Sequence, residues 1–494
     1  MHQADARVEQ GSQPETEGVA ASGQTLHKWA LLTITVYGAF LLYYNSNLVD
    51  ARYVNHHISN LIVTIPGVIL LLFAYWRGYQ TLKSNPSIGI KPVVFFGAIA
   101  ALIAVCIPNF HSSDVFSYID IGWLQSHYHL NPYVTTVDQI PDFHADPMLT
   151  GVWAWNPCPY GFAFAHLTRM VCEAGRGDLA FTMHLLKCIN LAAFFVLAAV
   201  IYFGARQLRL PRPDLSLYLY LWSPFVLIQS LSNAHNDVLM TVFVMAGMLF
   251  VGSNLVALAI PSLVVGAQIK FLWIVAFPFV LLFVFRRFGW KALAANIVGG
   301  MLVMACLSAG YAADFSHFRF DIMRQDLSFN GKSLPALIEN IGHGIEHLAY
   351  HSNNLPWFES GLFKFIAAVK VATFAGFAIL CLWRFLRAVN EGKNYSMTRM
   401  ISDCLLLALL AVCLVSSKFH PWYILMFFPV ALWLPERSEL RRLAIILSCT
   451  QLFAITYLGH SGGINFVLLT ATPLILSFIR FRRNRKADTI PVHN

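Results

Sequence analysis

KPVVFFGAIAALIAVCIPNFHSSDVFSY, residues 91–118, is the stretch on which the reading of this chain turns. From Lys91 to about Asn109 it is apolar over the ~20 residues that a helix needs to cross a bilayer. It then runs directly into His111-Ser112-Ser113-Asp114-Val115-Phe116-Ser117-Tyr118. An aspartate just past a span end stands where a low-dielectric medium meets water. There a carboxylate can stay ionised and still be shielded enough to act as a base. Ile119-Asp120-Ile121-Gly122-Trp123 continues as an amphipathic stretch, and Asn131-Pro132-Tyr133 reads as a turn. The arrangement points to an enzyme working at a membrane face rather than to a pore or an anchor.

Composition agrees with a membrane solvent. The 494 residues are 57% hydrophobic and 12% charged, with mean hydropathy +0.59, where a soluble domain carries about 25% charged residues. The chain therefore reads as an all-α polytopic membrane protein, its 39 Phe, 18 Tyr and 12 Trp suiting lipid-facing and interfacial positions. The formal charge of +9 falls in short loops as a topology signal, so nucleic acid is set aside as a partner. Nine cysteines are scattered, most inside apolar runs such as Cys106, Cys306, Cys381 and Cys413. Cys158 and Cys172 fall in one loop, where a disulfide between them stays open. No Cys/His set has metal-ligand spacing. Residues 1–26 are polar and are expected to form a disordered cytoplasmic tail. The first apolar run begins too late for a cleavable signal and is expected to be a permanent span.

About fourteen spans are expected, near 28–45, 58–76, 91–109, 182–204, 215–233, 236–251, 254–268, 271–287, 291–312, 361–384, 400–416, 420–434, 441–458 and 463–480. The run 254–268 is short enough to be partly re-entrant. Arg169 and Glu173 interrupt 161–174, which reads as an interfacial helix. With this count the basic clusters Arg77/Lys83/Lys91, Arg206/Arg209/Arg212, Arg286/Arg287/Lys291, Arg384/Arg387/Lys393/Arg399, Arg437/Arg441/Arg442 and the basic tail 482–494 all fall on one face. That face is expected to be cytoplasmic, with both termini inside. The integral-membrane domain is then 27–481, with long outer loops at 110–181 and 313–360. Lys270 and Lys418 break the rule by lying at outer turns. Each is either snorkelling to lipid headgroups or holding an anion.

Polar groups gather on the outer face: Asp114 and Asp120, the stretch Trp153–Gly161 with Tyr160, Ser232-Asn233-Ala234-His235-Asn236-Asp237, Lys270, Ser328–Ser333, Ser416–Tyr423 with Lys418 and His420, and His460–Gly463. Polar residues at membrane depth are expensive, so their convergence suggests a shared site. Plainer readings stand beside this one. Asp114 and His235-Asn236-Asp237 would also serve as helix caps, and Pro421-Trp422-Tyr423 as an aromatic belt with proline at a helix start. Ser328–Ser333 is Gly-bearing but is not a P-loop.

Transfer from a lipid phosphate would unite these groups. Such a donor needs a groove for its tail and cations at the water boundary, here Lys270, Lys418 and His420. The acceptor hydroxyl needs a base, Asp114, and the departing phosphate needs positive charge nearby. Asp120, Tyr160, His235, Asn236 and Asp237 would line the site. Asp114 and Asp237 could share a divalent metal, but the spacing demands none, and no cofactor is called for. The alternative is a transporter or flippase for a lipid-linked or anionic solute. It would place ionisable groups near mid-span, whereas this chain has few, Lys187 and Lys370 near the outer thirds and little else. A third reading is a structural subunit of an envelope complex.

Ser113-Asp114-Val115-Phe116-Ser117-Tyr118, with Gly122 and Asn131-Pro132-Tyr133, resembles the first outer loop of the polyprenol-phosphate-mannose-dependent α-mannosyltransferases, integral-membrane glycosyltransferases of the GT-C type. Pro159-Tyr160-Gly161 resembles that family's loop motif, and Ala234-His235-Asn236-Asp237-Val238-Leu239-Met240 its His-Asn-Asp span start. Lys270 with Pro278, and His420-Pro421-Trp422-Tyr423, follow in the family's order, so the likeness runs over roughly 100–435. It implies a GT-C fold and Asp114 as the catalytic base. It also implies inverting transfer of a sugar, expected to be mannose, from a polyprenyl-phosphate donor to an extracytoplasmic envelope glycan or glycolipid at the cell membrane. Phe162 stands where the family usually has a second proline, and residues 416–420 depart from its pattern. Sugar and acceptor therefore stay open at this point.

Overall fold

The structure is a computed structural model that describes residues 14–46, 58–317, 334, 338, 356–416, 419–454 and 466–487. Every regular element among the described residues is helical. In chain order the main elements are α1 (Pro14–Ser46), α2 (Ile58–Ser84), α3 (Lys91–Cys106), α4 (Asp114–Ser126), α5 (Phe162–Gly175), α6 (Leu179–Gln207), α7 (Pro213–Leu221), α8 (Pro224–Val226), α9 (Asp237–Val251), α10 (Ala259–Ala267), α11 (Phe277–Ser308), α12 (Pro356–Glu391), α13 (Met397–Leu410), α14 (Phe428–Ala431), α15 (Glu439–Thr450) and α16 (Thr472–Ala487). α1 begins inside the stretch read as an N-terminal tail, and α16 runs into the basic C-terminal one.

Among the described residues, six helices are long and apolar enough to cross a membrane: Thr25–Ser46, Ile62–Ser84, Leu179–Gln207, Phe271–Asp314, Lys364–Asn394 and Met397–Val415. A seventh is counted if Pro213–Leu221 and Pro224–Ser232, bent by 41°, form one span. The bend has a local cause. Ser223 precedes Pro224, which disfavours helical backbone, and Ser223 is extended at ψ 116° before capping the next turn through its hydroxyl. Several other expected spans exist only as shorter apolar helices: Lys91–Cys106, Asp237–Val251, Val256–Ala267 and Pro421–Ala431. Two expected spans, 271–287 and 291–312, fall within the 44-residue stretch Phe271–Asp314. Straight, it would reach roughly 66 Å, about twice the hydrocarbon thickness. Gly289 interrupts it with φ 81° and ψ −175°, a backbone that a side chain would strain.

The two ends of the bundle differ in chemistry. Contacts tie the basic clusters together at one end. Arg212 donates to the carbonyls of Leu82 and Lys83, and Lys83 pairs with Glu436 at 3.4 Å. Arg286 donates to the carbonyls of Ala388, Val389 and Gly392, and Arg399 pairs with Glu391 at 2.6 Å. α9 starts at Asp237 and ends against this region, where Gly252 approaches the side chains of Gln207 and Met397. Its fifteen residues span about 22 Å, so its N-terminus reaches the opposite end. The turns that carry Asp114, Tyr160, Lys270 and His420 gather there.

α4 and α5 form the helical pair of the first long loop. Gly122 lets them touch, since a Cβ there would lie 2.3 Å from the Thr168 carbonyl oxygen. α5 carries the Arg169–Glu173 pair on its exposed side, at 2.8 Å. Cys158 and Cys172 are both free thiols. Cys158 approaches the Tyr160 carbonyl, whereas Cys172 lies in the α4–α5 seam against the Ile119 carbonyl. The disulfide left open by the sequence is therefore not formed.

Overpacking a seam of this kind costs about 1–3 kcal/mol. Gly122→Val should therefore lower the melting temperature of the detergent-solubilised protein by several degrees. Gly38→Ala, where a Cβ meets nothing within 4 Å, should not lower it. Equal melting of Gly122→Val and wild type would show that the seam is not tight.

Candidate functional site

At the end remote from the basic clusters, four chain turns close on a cavity of about 370 Å³. Asp114, Ser117, Trp153, Asn156, Tyr160, Lys270, His420, Trp422 and Tyr423 line it, with Phe271, Leu272, Val412 and Met426 on its apolar side. Asp114, Lys270 and His420 each sit where regular structure begins. Asp114 is the first residue of α4 and Asp237 the first of α9, positions where a helix dipole favours negative charge. Lys270 and His420 are extended residues that precede short 3-10 turns (Phe271–Ala276 and Pro421–Met426). Pro421 forces that geometry on His420.

Asp114 is the centre of the arrangement. Its backbone N–H donates to Ser112 Oγ at 3.2 Å. Trp153 Nε1–H approaches Oδ1 at 3.4 Å, and His235 Nδ1 lies 3.6 Å from Oδ2. Ser113 and Asn236, the N-cap residues of α4 and α9, make no side-chain capping bond, so capping does not account for these motifs. Burial pushes the Asp114 carboxyl up to about 6, against the pull of the Lys270 charge and the Trp153 hydrogen bond.

Lys270 reaches the buried Asp237 carboxylate, Nζ to Oδ1 2.6 Å. The ammonium also lies 4.9 Å from the Tyr423 ring centre and 6.0 Å from that of Tyr160, a cation over aromatic faces. Trp422 is stacked between two histidines, 4.2 Å from the His235 ring and 4.5 Å from His420. Pro421-Trp422-Tyr423 is thus wall rather than aromatic belt. His235 is fully buried, and among the described residues neither of its ring nitrogens is hydrogen-bonded and neither amide atom of Asn236 has a hydrogen-bond partner. These two residues and Asp237 stand behind the cavity wall.

The supports of the site are as specific as its lining. Leu227–Ser232 is a π-helical turn, a device common at functional sites. Asn233 follows it, buried, and its Oδ1 accepts from the backbone N–H of Phe110 at 3.2 Å and of His111 at 3.0 Å. Asn109 Nδ2 in turn donates to the Asn233 carbonyl at 3.2 Å. Buried Lys187 donates to the Ile107 carbonyl at 2.6 Å. Residues 107–111, which aim Asp114, are therefore held from α6 and from the turn before α9. On the other side, Tyr133 OH donates to the Tyr160 carbonyl at 2.9 Å. Gly161 lies so close to the turn before Lys270 that a Cβ would come within 2.5 Å of the Gln268 carbonyl oxygen. Asn131 makes the expected turn, its Oδ1 accepting from Tyr133 N–H at 3.0 Å.

Among the residues singled out from the sequence, Asp114, Tyr160, Lys270 and His420 line one cavity, and His235 and Asp237 touch that set. Asp120 does not join it. Six residues after Asp114 on α4, it faces away, and its oxygens accept from Thr150 N–H at 2.7 Å and Thr150 Oγ1–H at 3.0 Å. Lys418, Ser328–Ser333 and His460–Gly463 lie outside the described residues. Among the described residues no three His, Cys, Asp or Glu side chains group as metal ligands. Sequence reasoning passed over Trp153 and Asn156 as lining residues and Asn233 as a support, although each sits in a stretch it had marked.

Residues 30–286, just over half of the chain, match the family model described as "Alpha-(1->6)-mannopyranosyltransferase, N-terminal domain". The matched region holds Asp114, Tyr160, His235–Asp237 and Lys270 but not His420. No curated protein and no solved structure matches the chain.

A carboxyl whose pKa is raised by folding binds its proton more tightly in the folded state. Its contribution to stability is thus present below about pH 4 and is lost as pH rises through about 6. Asp114→Asn should accordingly melt a few degrees above wild type at pH 7.5, with the gain vanishing near pH 4. A difference independent of pH would place the carboxylate in water.

Proposed function

The chain belongs to the alpha-(1->6)-mannopyranosyltransferase family and is thus a membrane glycosyltransferase; on that premise we propose that it transfers mannose from a polyprenyl-phosphate donor to an extracytoplasmic glycan or glycolipid. Membership of an enzyme family sets aside the transporter and structural-subunit readings. The observation that carries the proposal is one cavity in which the Asp114 carboxylate and the Lys270 ammonium face the same space.

In this reading the acceptor hydroxyl lies against Asp114. As its oxygen attacks the sugar C1, the proton passes to the Asp114 carboxylate and the C1–O(phosphate) bond breaks. The electron pair leaves on the phosphate. Lys270, held by its contact with Asp237, meets that charge from the other side, with His420 and Lys418 assigned to the same task. One displacement inverts the anomeric centre, so a β-linked donor yields an α-mannoside. With its pKa near 6, Asp114 is mostly ionised at neutral pH yet still basic enough to take a proton.

The fourteen-span GT-C architecture is part of the proposal. It has a membrane domain over 27–481 and tails at 1–26 and 482–494 on the cytoplasmic side. The shared basic end of the bundle supports that orientation, which puts the cavity on the outer face.

The test is transfer of radiolabelled mannose from polyprenyl-phosphate mannose to an envelope acceptor by purified protein in liposomes. Wild type should transfer, and Asp114→Asn should lose at least about a hundredfold in kcat. The wild-type kcat/KM should fall on the acid side with an apparent pKa near 6. Undiminished transfer by Asp114→Asn would move the base elsewhere.

A further inference from the structure

The mouth of the cavity carries an aromatic turn that the chemistry above does not use. Trp153 has its backbone in the left-handed region at φ 60°, a rare conformation for a bulky residue and one that concentrates at functional sites. Its indole N–H points at Asp114 Oδ1. Trp155 is 62% exposed and meets Trp153 edge to face, ring centres 5.8 Å apart. Asn156 follows and lines the same cavity.

This turn is built rather than loose. The Asp120 carboxylate, inside the protein, holds its base through Thr150. Ala154 is buried, and its carbonyl accepts from Asp138 N–H at 3.3 Å. Asn156 N–H closes the turn on the Trp153 carbonyl at 2.9 Å, and Cys158 N–H is bound to the Pro132 carbonyl at 2.8 Å. A buried carboxylate, a strained residue and a hydrogen-bonded turn thus combine to present the Trp153 indole and the Asn156 amide to the cavity, with the exposed Trp155 indole packed against Trp153.

We propose that Trp153, Trp155 and Asn156 form the acceptor subsite, which takes a hexopyranose unit of a glycan; this rests on the glycosyltransferase reading of the cavity. A pyranose has a face of C–H groups that packs on the electron-rich face of an indole, while its ring of hydroxyls calls for a planar amide. The subsite belongs to the acceptor because Trp153 touches the base itself. The hydroxyl that Asp114 deprotonates must lie at that oxygen, whereas the groups that suit a phosphate donor, the Lys270 ammonium and the His420 imidazole, come from other turns. Asp120 acts here as a positioning residue for the turn.

The test is binding without transfer. Saturation-transfer NMR of an α-(1→6)-linked mannotriose with the full chain in detergent, no donor present, should show contact at the sugar C–H protons. Trp155→Ala should weaken that binding about tenfold, and Trp155→Phe should restore most of it. Equal binding by wild type and Trp155→Ala, or no binding by wild type, would overturn the subsite. So would a Trp155→Ala protein that binds the sugar normally but partitions less well into vesicles, since that would make Trp155 a lipid anchor. A wild type that binds the mannotriose, loses binding with Trp155→Ala, yet transfers no mannose would leave the subsite standing and refute the catalytic reading alone.

Discussion

The pair between Lys270 Nζ and the buried Asp237 carboxylate, 2.6 Å long, is the constraint on which the rest depends. Removing one member of a buried pair strands the other at a cost of about 3–5 kcal/mol. The chain therefore has strong reason to keep the α9 N-terminus and the turn after α10 together. That contact joins α9 to the turn after α10 at the cavity and sets the ammonium over Tyr160 and Tyr423. A lysine that was merely snorkelling would have no such partner. With Asp237 satisfying one of its three N–H donors, the cation still faces the cavity and can meet a second anion.

The turns around this pair are tied by contacts that leave little freedom. Gly161 against Gln268 couples the Tyr160 loop to Lys270 by close backbone approach. Asn233 couples the segment before Asp114 to the turn before Asp237 through two backbone hydrogen bonds. Tyr133 anchors the same Tyr160 loop from the far side. Asp114 and Lys270 are thereby placed by separate supports that share the start of α9. Such placement suits a reaction in which charge moves from one side of the cavity to the other.

Much of this could be read from the chain, for physical reasons that also mark where the reading stopped. Apolar runs such as 182–204 and 361–384 announce helices because a lipid solvent allows few other structures. Charged or aromatic residues at their ends announced Asp114, Lys270 and His420. The lengths of the shorter helices were not legible. α3, α9 and α10 have 16, 15 and 9 residues, fewer than the about twenty that hydropathy assigns to a span. Proline at 224 and glycine at 289 also break runs that hydropathy alone joins or splits. Asp120 was marked as a lining residue beside Asp114 because both begin the same loop. Only the helix phase, six residues apart, turns one carboxylate to the cavity and the other to Thr150. Asn233 was hidden for a different reason: a side chain that supports a site by binding backbone groups leaves no chemical pattern in the sequence.

The most direct measurement of the central claim is an experimental structure of the full chain with a non-transferable donor, a polyprenyl phosphonate of mannose. The account predicts the phosphonate oxygens at Lys270 and His420, the sugar C1 facing the space beside Asp114, and the tail leaving along the apolar wall of Phe271, Leu272 and Val412. A headgroup bound away from Lys270, or a sugar whose C1 lies out of reach of any nucleophile held by Asp114, would contradict it.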